Sequence, residues 1–239
     1  MWLSEQLGRT VVNVEIWSDI ACPWCAVGKR RFEAAMEQFE HRDDVTVTFR
    51  SFELDPDAPP AREGSTAENL ARKYGTSLEQ ALAMNERMTQ TAAEDGLEFR
   101  FDLARGGNTF DAHRLLHLAA AHGRQPELKE RLMRAYLGEG ELMSDHAALT
   151  RLALEAGLPE DEVRDTLATD RYADAVREDE ATARGFGINA VPYFVIDRRF
   201  GLAGAQPPEV LGEGLRRAWE ARTPLSVVAE GDTCGPDGC

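Results

Sequence analysis

Apolar and polar positions along the chain fall into three regimes, and these predict the architecture before any single residue is considered. Residues 11–17 (Val-Val-Asn-Val-Glu-Ile-Trp) are rich in β-branched and aromatic side chains and predict a strand, broken by Ser18 and Asp19. From about Pro23 to Phe39 the apolar residues Phe32, Ala35, Met36 and Phe39 recur with the spacing of one helix face, and Asp43 and Asp44 mark its end. Val45, Val47 and Phe49 then alternate with Thr46, Thr48 and Arg50 through to Leu54, the period of a second strand. Strand, helix and strand at this spacing make a βαβ unit, with a right-handed crossover if the strands are parallel.

Between about residues 66 and 185 strand signals almost vanish and helical patterns repeat, at 78–94, 110–122, 127–137, 146–156 and 160–168. Their ends carry capping residues: Ser144 before Asp145, Pro159 at a start, and Gly123 and Gly157 past two ends. Strand character returns in residues 193–196, turns at Arg198-Arg199 and resumes in 200–203. Pro207-Pro208 opens a last helix running to about 222, in which Gly212 and Gly214 each cost about 1 kcal/mol against Ala. The expected organisation is a βαβ part at 10–65, a helical insertion at 66–185, a ββα part at 186–222 and a tail at 223–239.

Charge narrows the partners. The 42 acidic and 27 basic residues give a net charge of -15, which repels phosphate backbones and anionic membrane surfaces, so neither nucleic acid nor membrane is expected as a partner. The first residues lack a basic segment followed by an apolar run, and no stretch of about 18 apolar residues occurs, so a cytoplasmic location is expected. In that reducing setting four cysteines point to catalysis, sensing or metal binding rather than to a disulfide scaffold.

Two of the four stand in Cys22-Pro23-Trp24-Cys25, directly after the first strand and at the start of its helix. A sulfur there meets unpaired N–H groups and the positive end of the helix dipole, which favour a thiolate, and Pro23 costs nothing at a first helical position. One turn of helix brings the two sulfurs together, so Cys22 is the expected nucleophile and Cys25 the residue that resolves its mixed disulfide. Trp24, between them, is expected to face substrate, and Asp19 and Lys29 to act on the Cys22 thiolate in opposite senses. The competing reading of a lone CxxC is half of a zinc site, but zinc knuckles sit in Gly-rich turns rather than at the head of a βαβ helix. His113 and His117, one helical turn apart, lack a third ligand and read as a satisfied helix face.

Three stretches together resemble the DsbA family of the thioredoxin superfamily, in its FrnE-like branch related to 2-hydroxychromene-2-carboxylate isomerases. They are Ser18-Asp19-Ile20-Ala21-Cys22-Pro23-Trp24-Cys25 with Val27-Gly28-Lys29-Arg30; Asn108-Thr109-Phe110-Asp111-Ala112-His113-Arg114; and residues 187–195 (Gly-Ile-Asn-Ala-Val-Pro-Tyr-Phe-Val) with Gly204-Ala205-Gln206. The resemblance covers about residues 11–222 and implies an α/β thioredoxin fold with a large helical insertion. It also implies a cis Val191-Pro192 peptide facing the redox pair and binding substrate backbone, and a cleft lined by Asn108 and His113. No cofactor or metal is implied; the partners are protein or small-molecule thiols and disulfides, with glutathione or a thioredoxin-type reductant among them. Ala26 stands where many relatives carry an aromatic residue. The isomerase and glutathione-transferase branches carry Ser where this chain has Cys22, which favours redox chemistry over isomerisation.

Cys234-Gly235-Pro236-Asp237-Gly238-Cys239 ends the chain with a second pair, whose Pro-Asp-Gly core bends two thiols toward each other. An exchange relay with Cys22 and Cys25, with a role in oxidative-stress defence, is one reading; an incidental exposed pair and a four-cysteine zinc site built from both pairs are the others. A thiol-disulfide oxidoreductase is thus the leading reading. A non-catalytic metal-binding or redox-sensing protein is the first alternative, and a glutathione-dependent transferase or isomerase the second.

Overall fold

The computed structural model describes residues 11–222. In chain order the elements are β1 (Val12–Ser18), α1 (Pro23–Glu37), β2 (Val45–Ser51), α2 (Thr66–Tyr74), α3 (Leu78–Glu94), α4 (Phe110–Ala121) and α5 (Gln125–Arg134). They continue with α6 (His146–Glu155), α7 (Glu160–Ala168), α8 (Ala173–Gly185), β3 (Tyr193–Ile196), β4 (Phe200–Ala203) and α9 (Pro208–Glu220). The sheet order is β2-β1-β3-β4, with β1 parallel to β2 and antiparallel to β3, and β4 antiparallel to β3.

Period-two alternation gives β1 one apolar face, Val12, Val14 and Ile16, and turns Trp17 to the other. Val12, Val14 and Ile16 pack with Phe32 and Ala35 of α1 and Leu211, Leu215 and Ala218 of α9. Trp17 joins Val195 with Ala183 of α8 and Ile188, and its indole N–H donates to the Asp179 carbonyl at 2.9 Å. Gly214 lets α9 lie flat on this sheet, since a Cβ there would sit 2.6 Å from Leu202 Cδ1. A residue that weakens the helix is thus what admits it to the core.

The helices between β2 and β3 build a second core around Leu115, Leu128, Leu132, Leu149, Leu152 and Val163. Arg114, buried on α4, donates to the carbonyls of Thr166 and Thr169, which fastens α4 to the C-terminal end of α7 and satisfies carbonyls that a helix end leaves free.

Three local expectations shift. Asp145, not Ser144, caps α6, its carboxylate accepting from the amides of Ala147 and Ala148. The β3–β4 turn is centred on Asp197 and Arg198, both at positive φ, one residue earlier than Arg198-Arg199. Three residues separate the paired Ile196 and Phe200, Arg199 N donates to the Ile196 carbonyl at 3.0 Å, and Asp197 is held in the turn by Asn13 N donating to its Oδ1 at 2.8 Å. Finally, α5 starts at Gln125 and gives way at Ala135 to a π-helical turn over Ala135–Glu139, where Arg100 N donates to the Leu137 carbonyl at 2.7 Å and Gly140 closes the turn at positive φ.

Candidate functional site

Cys22 caps α1 with extended backbone (φ -91°, ψ 112°), Pro23 occupies the first helical turn, and Cys25 N donates to Cys22 Sγ at 3.3 Å. Both thiols are free, and they are 4% and 1% exposed, whereas Trp24 between them is 46% exposed. The Val191-Pro192 peptide is cis, and the Cys22 thiol donates to the Val191 carbonyl at 3.7 Å. That loop is pinned from two sides. Gly204 N donates to the Pro192 carbonyl at 2.8 Å, and Gly28 of α1 leaves room for the ring, since a Cβ at position 28 would stand 2.7 Å from Pro192 Cγ.

In front of the sulfurs a cleft of about 630 Å³ is lined by Cys22, Trp24, Leu54, Tyr74, Met84, Met88, Phe101, Tyr136 and Val191, with Lys73 and Arg87 as its cations. The apolar wall comes largely from α2, α3 and the π turn. Tyr136 of that turn has its hydroxyl pushed up to about 12 by burial, with Asp19 adding to the effect, so it stays protonated.

The two thiols are not equivalent. Burial pushes Cys25 well above the ordinary thiol range, the Cys22 sulfur raises it further, and Lys129 pulls it partly back. Behind them Asp19 is buried. Burial alone would raise its carboxyl, but His113, the Leu54 amide at 2.8 Å and Lys129 together hold it below its usual value.

Several expected site residues occupy other places. His113 is 0% exposed and meets Asp19 through Nε2 at 3.4 Å, so it supports the loop behind the dithiol instead of lining the cleft. Asn108 accepts from Phe110 N at 2.8 Å, opening α4, and is not on the cleft wall. The ammonium of Lys29 lies 2.6 Å from both Glu33 and Glu130 and is committed to them, which corrects its expected action on Cys22. His117 is satisfied by Ser51 Oγ at 3.1 Å and Asp179 Oδ2 at 3.2 Å. Among the described residues no cluster of three or more His, Cys, Asp or Glu side chains is placed to hold a metal ion. Cys234 and Cys239 lie outside the described residues.

The residue that sequence reasoning missed is Lys129. It is fully buried on α5, in the stripe formed by Gln125, Leu128, Leu132, Met133 and Tyr136. A lysine inside an apolar helical stripe is the signal that the sequence offers for it.

One carboxylate beside the cleft sets a pH response. Glu53, next to Leu54, is lifted to about 7 by burial; Arg177 at 2.6 Å pulls it down and Glu180 pushes it up. A carboxyl raised in the folded state stabilises it most below the ordinary carboxylate value and loses that contribution as pH climbs to about 7. Glu53→Gln is therefore expected to flatten the fall in stability between about pH 4.5 and 7, read from urea unfolding at several pH values; an unchanged slope would refute it.

A dithiol at the head of the first helix, a cis-proline loop against it and a four-stranded sheet with a helical insertion together define a thioredoxin-type disulfide-exchange protein. The chain belongs to the DSBA-like thioredoxin domain family, whose profile matches residues 13–216. It is similar to a probable DsbA oxidoreductase from Streptomyces coelicolor at 47% identity, with a TM-score of 0.89 over 95% of this chain and 98% of that one. It is also 29% identical, over 77% of its length and 86% of the relative's, to an uncharacterised Bacillus subtilis protein. The cytosolic disulfide reductase DsbM from Pseudomonas aeruginosa, solved with GSH, shares the fold at 17% identity and a TM-score of 0.61, over 87% of this chain and 99% of that one. The protein is a thiol-disulfide oxidoreductase. Among the described residues no helix is long and apolar enough to cross a membrane.

Proposed function

We propose that this enzyme is a cytoplasmic disulfide reductase or isomerase in which Cys22 attacks and Cys25 resolves. The observation that carries the reading is the asymmetry of the pair: Cys22 Sγ caps the helix and borders the cleft, while burial keeps the Cys25 proton in place. Cys22 thiolate attacks one sulfur of a substrate disulfide, forming a Cys22 mixed disulfide and expelling one substrate thiolate. Cys25, once deprotonated, attacks Cys22 Sγ, closes the Cys22–Cys25 disulfide and releases the second substrate thiolate. Two electrons pass from dithiol to substrate.

Trp24, Val191 and Pro192 flank the point of attack, and the apolar cleft suits side chains beside a protein disulfide. The dithiol is restored by a small thiol such as glutathione or by a thioredoxin-type reductant. Cys234 and Cys239 form a second pair exchanging with the first, which protects the centre from over-oxidation during oxidative stress; this part rests on the sequence of the tail.

The test is reduction of a model protein disulfide by Cys22→Ser. The expected rate is lower by about a thousandfold or more, as when a nucleophile is removed. A wild-type rate would overturn the assignment of Cys22. In the same assay, replacing both tail cysteines by Ser without effect on turnover, redox potential or peroxide resistance would remove the relay.

A further inference from the structure

The chain carries 42 acidic against 27 basic residues, yet among the described residues the cleft in front of the dithiol is lined by two cations, Lys73 and Arg87, and by no Asp or Glu. Neither cation is neutralised along its own helix. Within α2 the residues three and four before Lys73 are Leu70 and Asn69; within α3 Arg87 has Ala83, Met84, Gln90 and Thr91 at those spacings. Arginines away from the cleft do find such partners, Arg164 in Glu160 and Arg217 in Glu213. The Lys73 ammonium meets only the Tyr74 ring, 5.9 Å away, and among the described residues no carboxylate lies within ion-pairing distance of Lys73 or Arg87. A third polar group waits in the same cleft. Tyr136 is 9% exposed, no described residue hydrogen-bonds its hydroxyl, and burial keeps that hydroxyl protonated, so it is a donor with nothing to donate to. The rest of the wall is apolar, with Trp24, Leu54 and Tyr74 exposed. Through Leu54, Lys73 and Tyr136 the cleft adjoins a second cavity of about 490 Å³.

We infer that the cleft selects disulfides in acidic polypeptide segments. Carboxylates flanking the substrate cysteine meet Lys73 and Arg87, apolar neighbours meet Trp24, Leu54 and Tyr74, and the Tyr136 hydroxyl donates to a carbonyl of the segment. The inference rests on the reading of Cys22 as nucleophile and adds a substrate class to it. Two adjoining cavities and an apolar wall suit a chain that runs on past its cysteine, whereas glutathione brings carboxylates without apolar side chains. The net charge of -15 repels an acidic chain at long range and by itself sets the opposite preference. At ~0.1 M salt that repulsion is screened beyond about 10 Å, so the two cations beside the sulfur decide the order.

Peptides with one cysteine and the same apolar residues, flanked by Glu, Gln or Lys, are each joined through a disulfide to one neutral pyridine thiol. Its release by reduced full-length enzyme is followed by absorbance. The expected kcat/KM is about tenfold higher for the Glu peptide than for the Gln peptide and lowest for the Lys peptide, with the ratios shrinking in ~1 M salt. Lys73 and Arg87 are both exposed, so a Lys73→Gln/Arg87→Gln protein keeps its fold, and its Glu-to-Gln ratio is expected within about twofold of one. The same sulfur attacks both peptides, so any change in Cys22 reactivity cancels from that ratio. Tyr136→Phe should raise KM about fivefold for both peptides and keep their ratio, the loss of one hydrogen bond. A preference for the Gln or Lys peptide, or a Glu preference that survives the double substitution, overturns the inference; an unchanged KM in Tyr136→Phe overturns the role of Tyr136. Glutathione joined to the same pyridine thiol is expected to react at least about tenfold more slowly than the Glu peptide, for want of apolar contacts. Equal rates would give the cations to a small acidic thiol and overturn the polypeptide. Release from none of the probes would instead strike at Cys22 as nucleophile.

Discussion

Cys25→Ser protein is expected to stop at the mixed disulfide, retaining one covalently attached substrate per chain and losing multiple turnover by at least about a thousandfold. An intramolecular thiol acts at an effective concentration far above the millimolar thiols of an assay, which sets the scale of that loss. Cys25 is 1% exposed and fixed one helical turn from Cys22, with its own amide on the Cys22 sulfur. Nothing else among the described cysteines can replace it. Intact-protein mass spectrometry after mixing with a disulfide-bonded protein reads the adduct. A Cys25→Ser protein that carries no adduct, or that turns over at the wild-type rate, would show that resolution does not run through this residue.

Gly28→Val should slow reduction of protein disulfides by about a hundredfold, the scale associated with misplacing a binding element by about 1 Å. A Cβ at position 28 meets Pro192 Cγ at 2.7 Å, and a branched side chain needs still more room. The ring cannot simply give way, because Gly204 N holds the Pro192 carbonyl and Arg31 holds the adjacent Ala205 carbonyl, each within 2.9 Å. Displacement must therefore move the Val191 carbonyl away from Cys22, while Cys22 keeps its helix cap. Alkylation of Cys22 by a small reagent is expected to stay within about threefold of wild type, and the fold to lose about 1–3 kcal/mol from overpacking. Equal loss of alkylation and protein-disulfide reduction would locate the damage at the sulfur and not at the loop.

The dithiol was legible in the sequence because it is written in a short local string tied to an element boundary, whereas the cis Val191-Pro192 loop was implied only by the family resemblance. The sheet was legible for the same reason: Val12, Val14 and Ile16 are periodic on their own. What escaped notice depends on contacts between distant segments. His113 reads as an accessible imidazole until α4 is packed against the Asp19 loop. Lys29 reads as a neighbour of Cys22 until α5 brings Glu130 to it. The cleft wall, drawn from α2, α3 and the π turn, has no motif at all, since apolar residues placed for substrate and for core look alike in one dimension.

The helix that carries the cysteines belongs to both cores: Cys22, Cys25 and Val27 pack among the insertion helices, while Phe32 and Ala35 pack against the sheet. Both cores therefore bear on the one helix that holds the sulfurs. A change that moves α1 as a body carries both sulfurs with it, whereas one that displaces only the proline loop leaves them where they are, so potential and substrate docking answer to different substitutions.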